Sequence, residues 1–88
     1  MRFSLKDDEC ARQFDVLAEE TTQEVRAERG ALVHAVHAPA GQPLLRVLYE
    51  LYVNRAAFDT HEEQAHNRYF VEAREQYLAG TSAVFLVE

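Results

Sequence analysis

Leu44-Leu-Arg-Val-Leu-Tyr-Glu-Leu-Tyr-Val53 is the stretch that decides the fold. Its residues divide with period two, as in a β-strand. Leu45, Val47, Tyr49, Leu51 and Val53 make a wholly apolar face, and Arg46, Leu48, Glu50 and Tyr52 make a mixed one. The apolar face is expected to be sealed against protein, and the mixed face, rich in hydrogen-bonding groups, to border a pocket. Upstream, Ala31 to Ala38 contains the apolar, partly β-branched run Leu-Val-His-Ala-Val-His. Pro39-Ala-Gly-Gln-Pro43 ends it with turn residues, so the two strands read as a hairpin.

Working outward, Asn54 is placed to cap a helix that opens Arg55-Ala-Ala-Phe58. The helical pattern continues through Tyr69, Phe70, Ala73 and Tyr77 to Gly80, with a break near His66. Ser82 to Val87 reads as a final strand. At the other end, Arg2 to Lys6 alternates Phe3 and Leu5 with polar residues in a short strand. Asp7, Asp8 and Glu9 supply a cap and an acidic first turn for a long helix. Cys10, Phe14, Leu17, Thr21 and Val25 lie on one face of that helix, which runs to Glu28 and stops at Gly30. The order strand, long helix, hairpin, helical segment, strand predicts an α+β chain, residues 1–88, with a ferredoxin-like antiparallel sheet and helices on one face. The sheet's second face is then bare, and a homodimer through that face is the expected cover.

Eighty-eight residues make one domain, and a lone domain of this size buries only about 60% of the surface its unfolded chain exposes. The composition, 48% hydrophobic and 27% charged, is that of a folded globular protein. A formal charge of −6 with no basic stripe argues against nucleic acid as a partner. No apolar run reaches the ~20 residues that span a bilayer, and Met1 to Asp8 lacks the apolar centre of a signal peptide. A cytoplasmic protein that does not enter membranes is expected. The single cysteine, Cys10, excludes an internal disulfide, and a buried helix position is expected for it.

The candidate chemistry gathers after the hairpin. His61 and His66 are five residues apart and so point about 140° apart on an unbroken helix, poor spacing for two ligands of one ion. Glu62 and His66 have the better i, i+4 spacing, a weak signal for which a solvated surface pair is the simpler reading. His34 and His37, three apart on a strand, face opposite sides. Nothing resembles a nucleophile elbow or a phosphate-cradling glycine loop, so no nucleotide, flavin or metal site is encoded. What remains is a pocket with Glu50 and Tyr52 on the strand, His61 or His66 on the helix, and walls from Phe58, Tyr69 and Phe70. Such a set stacks a planar substrate and moves one proton. An aromatic core with two satisfied histidines is the competing account.

Glu28-Arg29-Gly30 before a strand, Glu50-x-Tyr52 ending the next, then Ala57-Phe58-x-x-His61-x-x-x-x-His66 and Phe70 resemble the antibiotic biosynthesis monooxygenase domain family. The resemblance covers nearly the whole chain. It implies a dimeric α/β barrel of ferredoxin-like subunits, each with a pocket between sheet and helices. It implies too the oxidation of polycyclic phenols or quinols by molecular oxygen without metal or flavin. His61 is the expected base or oxyanion partner and Glu50 orients it or the substrate, with Tyr52 beside them. His34, Leu48, Phe58, His66, Tyr69 and Phe70 are the expected substrate contacts. The family pattern usually has tryptophan where Tyr52 stands and often tyrosine where His34 stands. Heme degradation, known in a related branch, is disfavoured because no histidine follows His66. A non-catalytic small-molecule-binding or stress-associated dimer and a proton-transferring isomerase are the alternatives within the same family.

Overall fold

Asp7 is extended, and its carboxylate accepts a 2.7 Å hydrogen bond from the Cys10 amide, so the first helix starts where the acidic turn predicts. A computed structural model describes residues 1–82. Strand β1 (Arg2–Leu5) leads into helix α1 (Asp8–Arg26). Strands β2 (Ala31–His37) and β3 (Leu45–Tyr52) form the hairpin. Helices α2 (Arg55–Glu63) and α3 (Ala65–Arg74) follow, then one 3₁₀ turn (Glu75–Tyr77) and strand β4 (Leu78–Ser82). The sheet order is β2-β3-β1-β4, with every neighbouring pair antiparallel, as the ferredoxin-like reading requires.

The apolar stripe of α1 packs on β1 as its spacing dictates. Phe14, Leu17 and Val25 are buried, and Phe14 meets Phe3 and Phe70 with ring centroids 5.1 and 6.0 Å away. Arg46, at the start of β3, is also buried under α1. Its guanidinium grips the Asp15 carboxylate with two hydrogen bonds of 2.7 and 3.0 Å and donates to the Pro43 and Leu45 carbonyls. That clamp fixes the hairpin against the helix.

Some expectations are corrected. Cys10 is half-buried at the first turn rather than buried, and its hydrogen bond to Asp7 raises the thiol pKa, which disfavours a reactive thiolate. The helical run ends at Tyr77, not Gly80. β4 begins at Leu78 because β1 pairs with it, Ser4 opposite Gly80 and Phe3 opposite Thr81. The strand expected over Ser82 to Val87 lies outside the described residues beyond Ser82. The bare second face of the sheet is present as expected: on the apolar face of β3, Tyr49, Leu51 and Val53 are each more than half exposed, and Val33 of β2 joins them. Leu32 falls at the register shift between Ala31 and Val33 and is exposed too.

Two glycines have distinct reasons. Gly41 has φ of 77° in a turn closed by the Gln42 amide on the Pro39 carbonyl. Gly30 has no such conformation. A Cβ there would lie 2.2 Å from the Ala57 Cβ, so α2 can rest against the end of α1 only over a glycine.

Candidate functional site

The break between the last two helices builds the site. Gln64 is extended (φ −67°, ψ 142°), ends α2 through its amide on the His61 carbonyl, and starts α3 by accepting the Asn67 and Arg68 amides. The angle argument against a paired His61 and His66 holds only for a continuous helix. With one residue out of helical geometry, both imidazoles turn onto the same carboxylate oxygen. Glu28 Oε2 is 2.9 Å from His61 Nδ1 and 2.7 Å from His66 Nε2. Glu28 arrives from the turn after α1, where its amide bonds the Val25 carbonyl and Gly30 allows the close approach.

A second carboxylate stands behind the first imidazole. Glu50 Oε1 lies 3.5 Å from His61 Nε2 and 3.9 Å from His34 Nε2, and accepts a 3.1 Å hydrogen bond from the Tyr52 hydroxyl. His34 is 3% exposed and hydrogen-bonded through Nδ1 to Thr22 Oγ1 at 2.8 Å. His66 Nδ1 faces Glu24 Oε2 at 3.5 Å. Phe58 stands against Tyr52, centroids 5.4 Å apart. The result is one connected chain of polar groups, Glu24, His66, Glu28, His61, Glu50 and Tyr52, with His61 its buried member.

Its electrostatics follow from burial. Desolvation acts to raise the Glu28 pKa, but hydrogen bonds from both imidazoles outweigh it and hold the carboxyl below its usual range. Burial, then the neighbouring His61 and Arg26, push His34 down to about 4, so it is a neutral hydrogen-bonding residue at neutral pH. Burial and the Glu50 charge push the Tyr52 phenol far above its ordinary value, so it stays a donor. Arg74 lies buried over the Phe3 and Phe70 rings, 4.9 and 5.0 Å from their centroids, and its Nε has no hydrogen-bond partner among the described residues.

Of the predicted site residues, His34, Glu50, Tyr52, Phe58, His61 and His66 come together. Leu48 and Phe70 are buried in the apolar core instead, and Tyr69 is 62% exposed, so none of the three walls the polar cluster as expected. Glu62 does not hold His66; it accepts a hydrogen bond from Asn67. A cleft of about 610 Å³ opens beside the cluster, with Glu24, Glu28, Gly30, Ala57, Gln64 and His66 on its walls. His61 is 3% exposed and lies behind that wall. Glu28, Glu24 and Thr22 were missed as site residues. A signal for Glu28 existed, since it continues the stripe Phe14, Leu17, Thr21, Val25 three residues on, a carboxylate where an apolar side chain is expected.

Among the described residues no helix is long and apolar enough to cross a membrane. The fold is shared with several solved structures. An antibiotic biosynthesis monooxygenase aligns with a TM-score of 0.88 at 22% identity, over 99% of this chain and 90% of that one. A Nitrosomonas europaea protein assigned by name to the same activity aligns at 0.84 and 24%, over 91% and 83%. A Mycobacterium tuberculosis protein aligns at 0.83 and 23%, over 99% and 91%. At these identities the likeness is one of fold. No curated protein matches the chain in sequence. The family model for antibiotic biosynthesis monooxygenase matches residues 1–73, well over half of the sequence, and the chain belongs to that family.

Proposed function

We propose that this protein is a monooxygenase-type oxidoreductase acting on a small aromatic hydroxyl compound or quinol bound in the cleft beside Glu28 and His66. The observation that carries the reading is a carboxylate shared by two imidazoles on the wall of a cleft of about 610 Å³, a size suited to a ring compound. A ring hydroxyl, or a ring methylene made acidic by a neighbouring carbonyl, gives its proton to this set. The His61, Glu50 and Tyr52 chain behind it spreads the charge change over several hydrogen bonds. The substrate anion is electron-rich enough to react with oxygen itself. For a methylene, addition of O₂ at carbon and loss of water leave a carbonyl, one oxygen atom going to the product and one to water.

Oxygen uptake with naphthols, anthrones and hydroquinones tests this. The wild type should consume oxygen, and Glu28→Gln and His61→Ala should each lose roughly 100-fold or more in rate. Equal rates in wild type and variants remove both residues from the chemistry. No uptake from any of them favours a binding protein, and turnover without oxygen favours an isomerase.

The same reading includes a homodimer through the open sheet face. Val33, Tyr49, Leu51 and Val53 form the exposed apolar patch that supports it. Light scattering should give twice the chain mass, and a mass near 10.1 kDa would exclude the dimer.

A further inference from the structure

The polar chain described above carries a second capacity, independent of any oxidation. His61 Nδ1, His66 Nε2 and a Glu28 carboxylate oxygen lie within 4.8 Å of one another. Two of the three separations are the 2.9 and 2.7 Å hydrogen bonds to Glu28 Oε2. Imidazole nitrogens and carboxylate oxygens bind zinc-like ions at about 2.0–2.2 Å. Neighbouring ligands of a tetrahedral ion are therefore roughly 3.4 Å apart. The two Glu28 contacts have to open by about half an ångström, while the imidazole nitrogens stay within the 4.8 Å that already holds the set together. An ion can take the place of the two bridging protons with small side-chain adjustments.

The surroundings suit that exchange. A metal-bound histidine needs an acceptor for its other N–H, and here each has one: His61 Nε2 faces Glu50, and His66 Nδ1 faces Glu24, both at 3.5 Å. A neutral imidazole can move its proton to that outer nitrogen as the inner one takes the ion, so no proton need leave the protein. Glu50 is itself held by Tyr52. Three carboxylates, Glu24, Glu28 and Glu50, surround two imidazoles, a charge balance that a divalent cation improves. Glu28 and His66 line the cleft, which gives an ion a path from solvent and leaves coordination positions open toward it.

We infer that Glu28, His61 and His66 form a binding site for one divalent transition-metal ion of the zinc and cobalt type, with its open positions facing the cleft. Two nitrogens and one oxygen match the preference of imidazole for such ions over magnesium or calcium.

Isothermal titration calorimetry of the full chain with Zn²⁺, and the visible absorption of added Co²⁺, test the site without substrate. The expected result is one ion per chain. Glu28→Gln and His66→Ala should each weaken binding beyond the ~10–100-fold of an outer-shell loss, and Glu24→Gln by about 10-fold. His37→Ala, a histidine near Tyr49 on the opposite sheet face, should bind as the wild type does. Circular dichroism of each variant separates lost binding from lost fold, and His66→Gln replaces any His66→Ala protein that does not fold. Absence of binding by the wild type overturns the site, as does undiminished binding by folded Glu28→Gln or loss of binding in His37→Ala. Oxygen uptake without metal binding would overturn this inference alone, and metal binding without oxygen uptake the oxidation reading alone.

Discussion

The helix-covered face of the sheet has two ends of opposite character. Under β1, the space is filled by Phe3, Phe14 and Phe70 in mutual tilted or edge contact. At the far half of β3 the corresponding groups are His34, Glu50, Tyr52, His61, His66 and Glu28, which partner one another and, from α1, Thr22 and Glu24. The aromatic end is closed to water, whereas the polar end is only partly so: His34 and His61 are buried, and Glu28 and His66 line the cleft. The aromatic end gains from area removed from water. The polar end is stable only while each buried group keeps its partner, because an orphaned one costs its full desolvation. The first end therefore supports the fold, and the second is free to hold chemistry.

Substitutions can sharpen that contrast. Phe14→Ala should be the most damaging, costing about 3–5 kcal/mol in urea unfolding, since it opens a cavity among three rings. A loss below ~1 kcal/mol would mean the aromatic end is not the anchor. Next comes acid. The folded pKa of His34, about 4, lies below its ordinary 6.5. The unfolded chain thus takes up the proton first, and the contribution is complete above pH 6.5 and lost as pH falls toward 4, on the order of 3 kcal/mol. Glu50, Glu28, His61, His66 and Arg26 all face this ring from the neighbouring elements. Unfolding free energy measured against pH should show the slope, and His34→Gln should flatten it; the same slope in the variant would assign it elsewhere.

Gly30→Ala should cost about 1–3 kcal/mol through the clash with Ala57. It should also push α2 away from Glu28, seen as loss of oxygen uptake larger than the loss of stability explains. An unchanged rate would show that the site tolerates the shift. The smallest effect is expected from Tyr69→Ser, within about 0.5 kcal/mol and with no change in rate, because the side chain is largely exposed. A large loss of rate there would return Tyr69 to the site.

How much of this could be read from residues alone follows the same division. Period-two alternation in β3, the caps Asp7 and Asn54, and the Phe3 and Phe14 positions express local rules, and the structure follows them. β4 starts at Leu78, ahead of the expected Ser82, because Leu78-Ala-Gly-Thr-Ser has little strand character of its own and is a strand by pairing with β1. Whereas His34 enters only with the family resemblance, the grouping of Glu50, Tyr52 and His61 was legible from strand parity and the short link to α2. The role of His66 was not, since it turns on the backbone angles of one residue, Gln64. Nor was Glu28 visible as a partner, 33 residues from His61 and 38 from His66, because no local pattern encodes so distant a meeting.

Helix α2 shows what that arrangement does to motion. Its one buried side chain is His61, and Ala57 and Phe58 are only half-buried. Where α1 is nailed down by a row of apolar residues, α2 is latched by an imidazole between two carboxylates. In hydrogen exchange, its amides should open locally, well below the free energy of global unfolding, while those of α1 wait for the whole domain. Whatever strengthens the latch, a ligand or an ion at Glu28, should be read there first, as slowed exchange along residues 55–63.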